Sequence, residues 1–278
     1  KPAGRGQKLK YSAVKEYALD NNLKLLQPTN LKDETFLAEL QSLNANLQVV
    51  VAFRMLPEVV WRMPKLGTFN LHASLLPNYR GAAPINWAII NGESKTGVTT
   101  FFIDDKIDTG AMILSKETMI GSEESAGELH DRLMTIGSEA VIATLALIEN
   151  GTVTTTIQVD NADIKTAYKL NKDNCKVDWH KSAAEIHNLI RGLSPYPAAW
   201  CFFKDNGEEW NVKLYEAKVI SESHALPVGQ LITTKKEMKV AVKDGFIQIL
   251  SLQLPGKKKM QADELLNGVT FSEKAQAE

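Results

Sequence analysis

Residues 69–84 read FNLHASLLPNYRGAAP. The run begins with apolar residues and places Asn70, His72 and Ser74 at every second position. Successive side chains of an extended strand point to opposite faces, so these three polar side chains are predicted to project from one face. Pro77 has no backbone N–H to donate, which predicts that the strand ends before it. The stretch therefore predicts a strand that carries hydrogen-bonding groups to its end.

The segments on either side of this stretch alternate between strand-like and helix-like patterns. Residues 47–53 (LQVVVAF) form an apolar run without polar alternation, which is typical of a parallel strand covered on both faces. Residues 96–103 (TGVTTFFI) are predicted to form the next strand, and residues 123–150 show the spacing of a long helix. Nearer the start of the chain, Ser12 is predicted to cap a helix, and residues 23–27 are predicted to form a short strand. This alternation predicts an α/β domain with a Rossmann-like parallel sheet. Ligands of such sheets bind at the carboxyl ends of the strands.

The pattern changes after residue 158. An amphipathic helix is predicted at 180–193, and the segment SPYPAAW (194–200) reads as an extended linker. Short strands separated by turns are predicted beyond it, at 200–203, 210–220, 228–233, 237–242 and 246–252. Several short strands with regular turns predict a small OB-like β-barrel. We predict an α/β domain at 1–180, a helix and linker at 181–198, and a barrel domain at 199–278.

The composition limits the classes of function. The chain has 278 residues, of which 44% are hydrophobic and 23% charged, and its net charge is −1. These values are typical of a globular protein with a real core and argue against a general nucleic-acid coat. Cys175 and Cys201 form no CxxC pattern, which argues against a disulfide framework or a structural zinc site and favours a reducing cytoplasm. No apolar run is long enough to suggest a membrane span.

Asn70 and His72 are the first candidates for catalysis. An amide donor beside an imidazole suits a carbonyl oxygen that gains negative charge during a reaction. The alternative is that both side chains merely satisfy backbone groups at a strand end. A catalytic histidine needs an orienting carboxylate. The loop after strand 96–103 offers three, and spacing does not choose among Asp104, Asp105 and Asp108.

Two basic segments are candidates for phosphate contacts. Residues 1–10 (KPAGRGQKLK) carry four basic residues and no acidic one. They read either as a surface loop or as an arm that binds phosphates. Lys257–Lys259 is a run of three lysines after a Pro-Gly turn, with the same two interpretations. The chain contains no Walker loop, GxGxxG, HExxH or GxSxG motif.

Residues 70–93 (NLHASLLPNYRGAAPINWAIINGE) and 96–110 (TGVTTFFIDDKIDTG) resemble the formyltransferases that use 10-formyltetrahydrofolate. Three further segments narrow the resemblance to the methionyl-tRNA formyltransferase family: KPAGRGQKL at the start, SPYPAAW in the middle and LQLPGKKKMQADELLNG near the end. The resemblance covers essentially the whole chain.

The resemblance implies transfer of a formyl group from 10-formyltetrahydrofolate to the α-amino group of methionyl-initiator tRNA, a step that supports translation initiation. It implies that Asn70, His72 and Asp108 form the catalytic trio, and it thereby selects one of the three acids. It also implies that the folate cosubstrate contacts Ser74, Leu75, Leu76, Pro77 and Leu56. No metal is expected.

The resemblance further implies two contacts with tRNA. The basic N-terminal loop with Arg5, Lys8 and Lys10 would contact the acceptor end, and the barrel would hold the inner face of the tRNA. Residues 201–278 contain 11 basic and 11 acidic side chains, so the barrel has no overall positive charge. Its tRNA contacts are therefore expected from a few lysines, Lys257 and Lys258 among them. We expect a cytoplasmic monomer.

Two features depart from the family pattern. Family members begin with a strand, a Gly-Thr-Pro turn, a helix and a second strand before the KPAGRG loop, so we expect the sequence to lack these first strands. The segment VAFRMLP (51–57) is one residue shorter than usual. Arg54, Met55 and Leu56 are therefore the candidates for the pterin pocket in this loop.

Two other functions are compatible with parts of the sequence. A folate-dependent formyltransferase acting on a small amine, such as a sugar nucleotide or glycinamide ribonucleotide, would share the trio. It would not need the basic loop or the barrel. A tRNA-binding fragment without catalysis would keep the barrel but would not bind a folate analogue.

Overall fold

The computed structural model describes residues 11–51 and 55–278. These residues form two compact units. The first contains the described residues up to Gln48 and those from Met55 to Thr68, and the second contains Val49–Val51 and Phe69–Glu278.

The described part of the first unit contains three helices, α1 (Ala13–Asp20), α2 (Glu34–Ser42) and α3 (Glu58–Trp61). The predicted cap at Ser12 is confirmed, because its side chain accepts a hydrogen bond from the backbone N–H of Lys15. The short strand predicted at 23–27 is wrong, since these residues have no regular secondary structure.

We call the described residues up to 180 the N-terminal half. Its strands are β1 (Gln48–Val51), β2 (Thr68–His72), β3 (Arg80–Gly81), β4 (Lys95–Phe102), β5 (Met112–Met119) and β6 (Thr166–Ala167). Four of them form a sheet in the order β1-β2-β4-β5, and β3 pairs with β6 separately. The backbone N–H of Gln48 donates to the carbonyl of Gly67, just before β2. The backbone N–H of Leu66 also donates to the carbonyl of Asn46, so residue numbers increase together along the two segments. The neighbouring strands β1 and β2 therefore run in the same direction.

The expectation of a parallel sheet is wrong for the other two strand pairs. Strand β2 pairs antiparallel with β4, and β4 pairs antiparallel with β5. The run of buried residues in β4 reflects its central position in the sheet, not its direction. Burial on both faces removes polar alternation in either orientation, so an apolar run cannot reveal how a strand is paired.

Helix α4 (Pro84–Ile90) packs against helix α5 (Ala126–Glu149), and α5 packs against β4 and β5 of this sheet. Ser125 and Glu128 form a capping box at the start of α5. Gly137 lets α5 approach β2 closely, since a Cβ there would lie 2.8 Å from the Leu71 side chain. The predicted strand–helix alternation and long helix are therefore confirmed. No helix in residues 11–51 and 55–278 is long and apolar enough to cross a membrane.

The predicted small β-barrel is also confirmed. Its strands are β7 (Ala199–Asp205), β8 (Glu208–Ile220), β9 (Leu231–Thr233), β10 (Met238–Val242), β11 (Gly245–Gln253), β12 (Met260–Gln261) and β13 (Gln276–Ala277). The main antiparallel order is β13-β7-β8-β11-β10-β9. Backbone bonds from Leu231 to Ala275 and from Ala277 to Gly229 bring the two edges together. A short helix, α7 (Ala262–Leu266), follows β12.

Helix α6 (Ala183–Leu193) joins the barrel to the N-terminal half. Its buried apolar residues belong to the barrel core. On the other side, the Asn86 amide donates to the carbonyl of Gly192 at 2.7 Å. The Arg191 guanidinium donates to the carbonyls of Gly121 and Glu124. The predicted division at 1–180, 181–198 and 199–278 stays a prediction.

Candidate active site

Strand β2 places Asn70 and His72 on one of its faces. Asn70 is paired with Phe101 of β4, and His72 is paired with Thr99. This pairing fixes the backbone of both residues, and the strand period of two gives their side chains a common direction. The regular strand ends at His72, so Ser74 lies in the turn that follows. The predicted alternation of side chains therefore applies to Asn70 and His72 but not to Ser74.

The His72 ring is buried and held by the main chain. Its Nε2 lies 2.8 Å from the carbonyl oxygen of Tyr79. A carbonyl oxygen only accepts hydrogen bonds, so Nε2 carries a proton and donates it. His72 thus does satisfy a backbone group, as the simpler interpretation of the sequence expected. The other ring nitrogen, Nδ1, is not used by this bond and faces a carboxylate. It is therefore the nitrogen that can accept a proton during a reaction.

The carboxylate facing His72 is that of Asp108. Its Oδ2 lies 3.7 Å from His72 Nδ1 and accepts a hydrogen bond from the backbone N–H of Gly81 at 2.9 Å. The Asp108 side chain is 14% exposed, so solvent screens this charge only partly. Asp108 has a φ of 56°, a left-handed conformation that asparagine and aspartate tolerate better than most residues.

The other two acids of the loop are placed differently. Asp104 accepts hydrogen bonds from the Thr109 hydroxyl and from the backbone of Lys106, so it stabilises its own loop. Asp105 is exposed. Of the three acids between which spacing could not choose, the structure brings Asp108 to the histidine.

The Asn70 side chain contains an unpaired acceptor. Its Oδ1 is buried and has no hydrogen-bond partner among the described residues. A buried polar atom without a partner costs about 1–3 kcal/mol, so such atoms are uncommon in folded proteins. The arrangement fits a substrate that brings its own N–H or O–H group to this position.

Gly81 supplies the backbone donor that holds Asp108, and its own position requires glycine. Its φ is 121°, and a Cβ there would lie 2.4 Å from the carbonyl oxygen of Ala167. The close approach is the parallel pairing of β3 with β6. Any larger residue would separate these two short strands and move the donor away from Asp108.

The predicted folate contacts after β2 form a tight turn. The Ser74 hydroxyl donates to the carbonyl of Asn78, and the Thr99 hydroxyl donates to the carbonyl of Ser74. The N–H of Leu76 donates to the same Thr99 hydroxyl. Leu75 and Pro77 are half-buried in this turn. The fifth predicted contact, Leu56, lies in the first unit just before α3. All five stay predictions as folate contacts.

A second polar network lies beside the turn and was not expected from the sequence. The Tyr79 hydroxyl donates to Glu93 at 2.6 Å, and Lys165 also donates to Glu93. Burial, together with Glu93, raises the pKa of Tyr79. Burial alone would raise the pKa of Glu93, but hydrogen bonds from Lys165 and Tyr79 outweigh it and lower that pKa. The network keeps Tyr79, whose carbonyl orients His72, in place.

The predicted tRNA contacts fall into two groups. Lys257 and Lys258 are exposed in the loop between β11 and β12. The neighbouring Lys259 is instead paired with Glu216 at 2.8 Å. Arg5, Lys8 and Lys10 lie outside the described residues, as does Arg54 of the candidate pterin loop.

Comparison with protein families gives two matches along the chain. Residues 1–145 match the formyl transferase model, and residues 169–270 match the model of the formyl transferase C-terminal domain. The chain is 76% identical over 275 residues to the methionyl-tRNA formyltransferase of Flavobacterium johnsoniae, covering 99% of this chain and 87% of that protein. It is 53% identical to the methionyl-tRNA formyltransferase of Bacteroides thetaiotaomicron, covering 98% and 86%.

Solved structures with the same fold are more distant in sequence. HypX from Aquifex aeolicus in complex with tetrahydrofolic acid aligns with a TM-score of 0.63 at 21% identity, covering 85% of this chain and 41% of that one. An N-formyltransferase from Helicobacter canadensis aligns with a TM-score of 0.63 at 22% identity, covering 93% and 86%. The chain belongs to the formyl transferase family and, within it, to the methionyl-tRNA formyltransferases.

Proposed function

We propose that this protein transfers the formyl group of 10-formyltetrahydrofolate to the α-amino group of methionyl-initiator tRNA. The observation that carries the chemistry is the approach of Asp108 Oδ2 to within 3.7 Å of His72 Nδ1, two residues along β2 from Asn70. The methionyl-tRNA formyltransferases at 76% and 53% identity support the choice of substrate. We further propose that the reaction takes place in the cytoplasm and that the protein acts there as a monomer.

The reaction forms a bond between the methionyl nitrogen and the formyl carbon and breaks the bond between that carbon and the folate nitrogen. A free α-amine has a pKa of about 7.7–8.0, so the site must take the neutral fraction. Attack turns the formyl oxygen into an oxyanion. The Asn70 amide N–H would donate to this oxygen, a type of contact that is typically worth about 10²–10³ in rate.

The attacking amine must then lose a proton, and the folate nitrogen must gain one. Because His72 Nε2 donates to the Tyr79 carbonyl, the ring can accept the proton only through Nδ1. The imidazolium that forms is stabilised by the Asp108 carboxylate beside Nδ1. Asp108 would orient the ring in this way and help pass the proton, through water, towards the leaving nitrogen.

A formylation assay with matched acceptors tests this function. The purified protein is incubated with 10-formyltetrahydrofolate and, in parallel, methionyl-initiator tRNA, methionyl-elongator tRNA, free methionine or a dTDP-linked amino sugar. We expect formyl transfer to methionyl-initiator tRNA at the highest kcat/KM. Formylation of the amino sugar or free methionine without formylation of methionyl-tRNA would overturn the proposal, and so would tRNA binding with no response to a folate analogue.

The two exposed lysines of the barrel give a separate prediction about tRNA. Each lysine that contacts a phosphate contributes about 0.7–0.9 to the slope of log K against log salt. The double variant Lys257→Gln/Lys258→Gln is therefore expected to weaken tRNA binding and reduce this slope by about 1.5. The measurement is a filter-binding titration at several salt concentrations.

The matched control is Lys235→Gln/Lys236→Gln. These two lysines are also adjacent and exposed, and they lie in the turn between β9 and β10 of the same barrel. The control removes the same charge, so a general electrostatic effect would appear in both double variants. An equal loss of slope in the two would remove Lys257 and Lys258 from the proposed tRNA interface.

A further inference from the structure

Residues 156–167 run beside the candidate active site, outside the four-stranded sheet. We name this segment the strap. At its start, Thr156 and Met112 exchange both of their backbone hydrogen bonds at 2.9 Å. Near its end, the carbonyl of Lys165 accepts from the backbone N–H of Tyr79. Its last two residues are β6, which pairs with β3. Both ends of the strap are therefore fixed by the main chain beside the site.

The side chain of Gln158, a strap residue, points towards the loop that carries Asp108. It is 8% exposed. Its Nε2 donates to the carbonyl of Asp108 at 2.9 Å and to the carbonyl of Gly110 at 2.8 Å. Its Oε1 accepts from Nε and Nη2 of Arg80 at 3.0 and 2.8 Å. An amide has two N–H donors and two acceptor lone pairs, so all of its hydrogen-bonding capacity is used.

The two bonds that Gln158 donates both go to the loop of Asp108. The left-handed conformation of Asp108 costs on the order of 1–2 kcal/mol for a residue with a side chain, so the surroundings must hold it. Gly110 lies so close to β4 that a Cβ would be 1.7 Å from the carbonyl oxygen of Phe102. Gln158 donates to the carbonyls of both Asp108 and Gly110, and these two bonds help to hold the loop in this shape.

Gln158 also links the two groups that hold Asp108, one at its main chain and one at its carboxylate. Its amide holds the Asp108 main chain, while its carbonyl oxygen holds Arg80. Arg80 directly precedes Gly81, whose N–H holds the Asp108 carboxylate. One side chain thus sets the position of the carboxylate from both directions.

We propose that Gln158 is a positioning residue that keeps the Asp108 carboxylate beside His72 during formyl transfer. The proposal rests on the proposed function for the reaction that Asp108 assists. Neither a carboxylate nor an apolar side chain can replace the amide, because the position requires two donors for carbonyls and an acceptor for a guanidinium. Arg80 has a further partner in Asp160, so its own position does not depend on Gln158 alone.

The decisive variant is Gln158→Glu. It keeps the size of the side chain and its acceptor for Arg80, but it sets carboxylate oxygens against the carbonyls of Asp108 and Gly110. Displacement of a catalytic group by about 1 Å costs roughly 100-fold in rate, so we expect kcat to fall by about that factor. The KM values for folate and methionyl-tRNA are expected to change little, because all four hydrogen bonds of the Gln158 amide are made within the protein.

Gln230→Glu is the matched control. Gln230 lies in the barrel, where its amide also donates to a backbone carbonyl, that of Glu273. The same chemical change there is expected to leave kcat and both KM values unaltered. Gln158→Met is the second variant: it removes the donors without adding charge, and it is expected to reproduce the loss of kcat if Gln158→Glu does not fold.

A spectroscopic readout makes the test independent of activity. In protein labelled with ¹⁵N-histidine, the ring resonances of His72 are assigned by their loss in His72→Gln. We expect these resonances to shift in the Gln158 variants and to stay in place in Gln230→Glu. A merely structural role would lower the thermal midpoint and the active fraction but leave kcat per active molecule and the His72 resonances unchanged, and that result would overturn the proposal.

The two failures can be told apart. If the wild-type protein does not formylate methionyl-tRNA, the proposed function fails, while a shifted His72 resonance in Gln158→Glu still supports the positioning of Asp108. If the wild-type protein is active and the Gln158 variants keep both its kcat and its His72 resonances, the positioning role alone is overturned.

Discussion

Replacing Asn70 with alanine is expected to lower kcat about 10²–10³-fold, because the variant loses the donor to the developing oxyanion. Its free energy of unfolding is expected to stay the same or increase. The buried Oδ1 of Asn70 has no partner among the described residues, and such an atom costs about 1–3 kcal/mol in the folded protein. Removing it offsets the packing that the substitution loses. Steady-state formylation and denaturant unfolding measure the two quantities.

Asn86→Ala is the control with the opposite pattern. The Asn86 amide is also half-buried, but it donates to the carbonyl of Gly192 between α4 and α6. Its loss is expected to cost roughly 1 kcal/mol of stability and to leave kcat unchanged. Near-normal turnover by Asn70→Ala would contradict the oxyanion role. A large loss of stability in that variant would show that Asn70 serves the fold instead.

The fold followed from sequence where a local pattern determines structure. The cap at Ser12, the long helix α5 and the barrel strands β7 to β11 were predicted, because capping and periodicity act over a few residues. The two-residue strands β12 and β13 were not predicted. The antiparallel direction of β4 was not predicted. Its burial comes from neighbours on both sides, and a central strand is apolar whether its partners are parallel or antiparallel.

The candidate site divides in the same way. The common face of Asn70 and His72 follows from the period of a strand and could be predicted. The tautomer of His72 could not, because it depends on a carbonyl that Tyr79 presents from a left-handed turn. Gln158 was also missed. It is 50 residues from Asp108 in the chain, and the two are brought together by the bridge between Thr156 and Met112 and by the pairing of β6 with β3.

Asp108→Asn is expected to lower kcat about 10²–10⁴-fold, the range of general acid–base catalysis, while the fold is kept. Asparagine tolerates the left-handed φ of 56° that this position requires. Its Oδ1 can still accept from the N–H of Gly81, which leaves its NH₂ group facing His72 Nδ1. That amide would donate to the lone pair of Nδ1. The variant therefore favours the neutral ring and occupies the atom that must accept the proton of the attacking amine.

Asp104→Asn makes the same change of charge in the same loop. Asp104 accepts from the Thr109 hydroxyl and the Lys106 backbone, and an amide oxygen can accept these bonds as well. We expect near wild-type kcat, measured with saturating methionyl-tRNA and 10-formyltetrahydrofolate. If the rate depended only on negative charge near the site, both variants would lose activity to a similar extent. A large loss confined to Asp108→Asn, with binding of a folate analogue retained, would instead require a carboxylate at the one position that faces Nδ1.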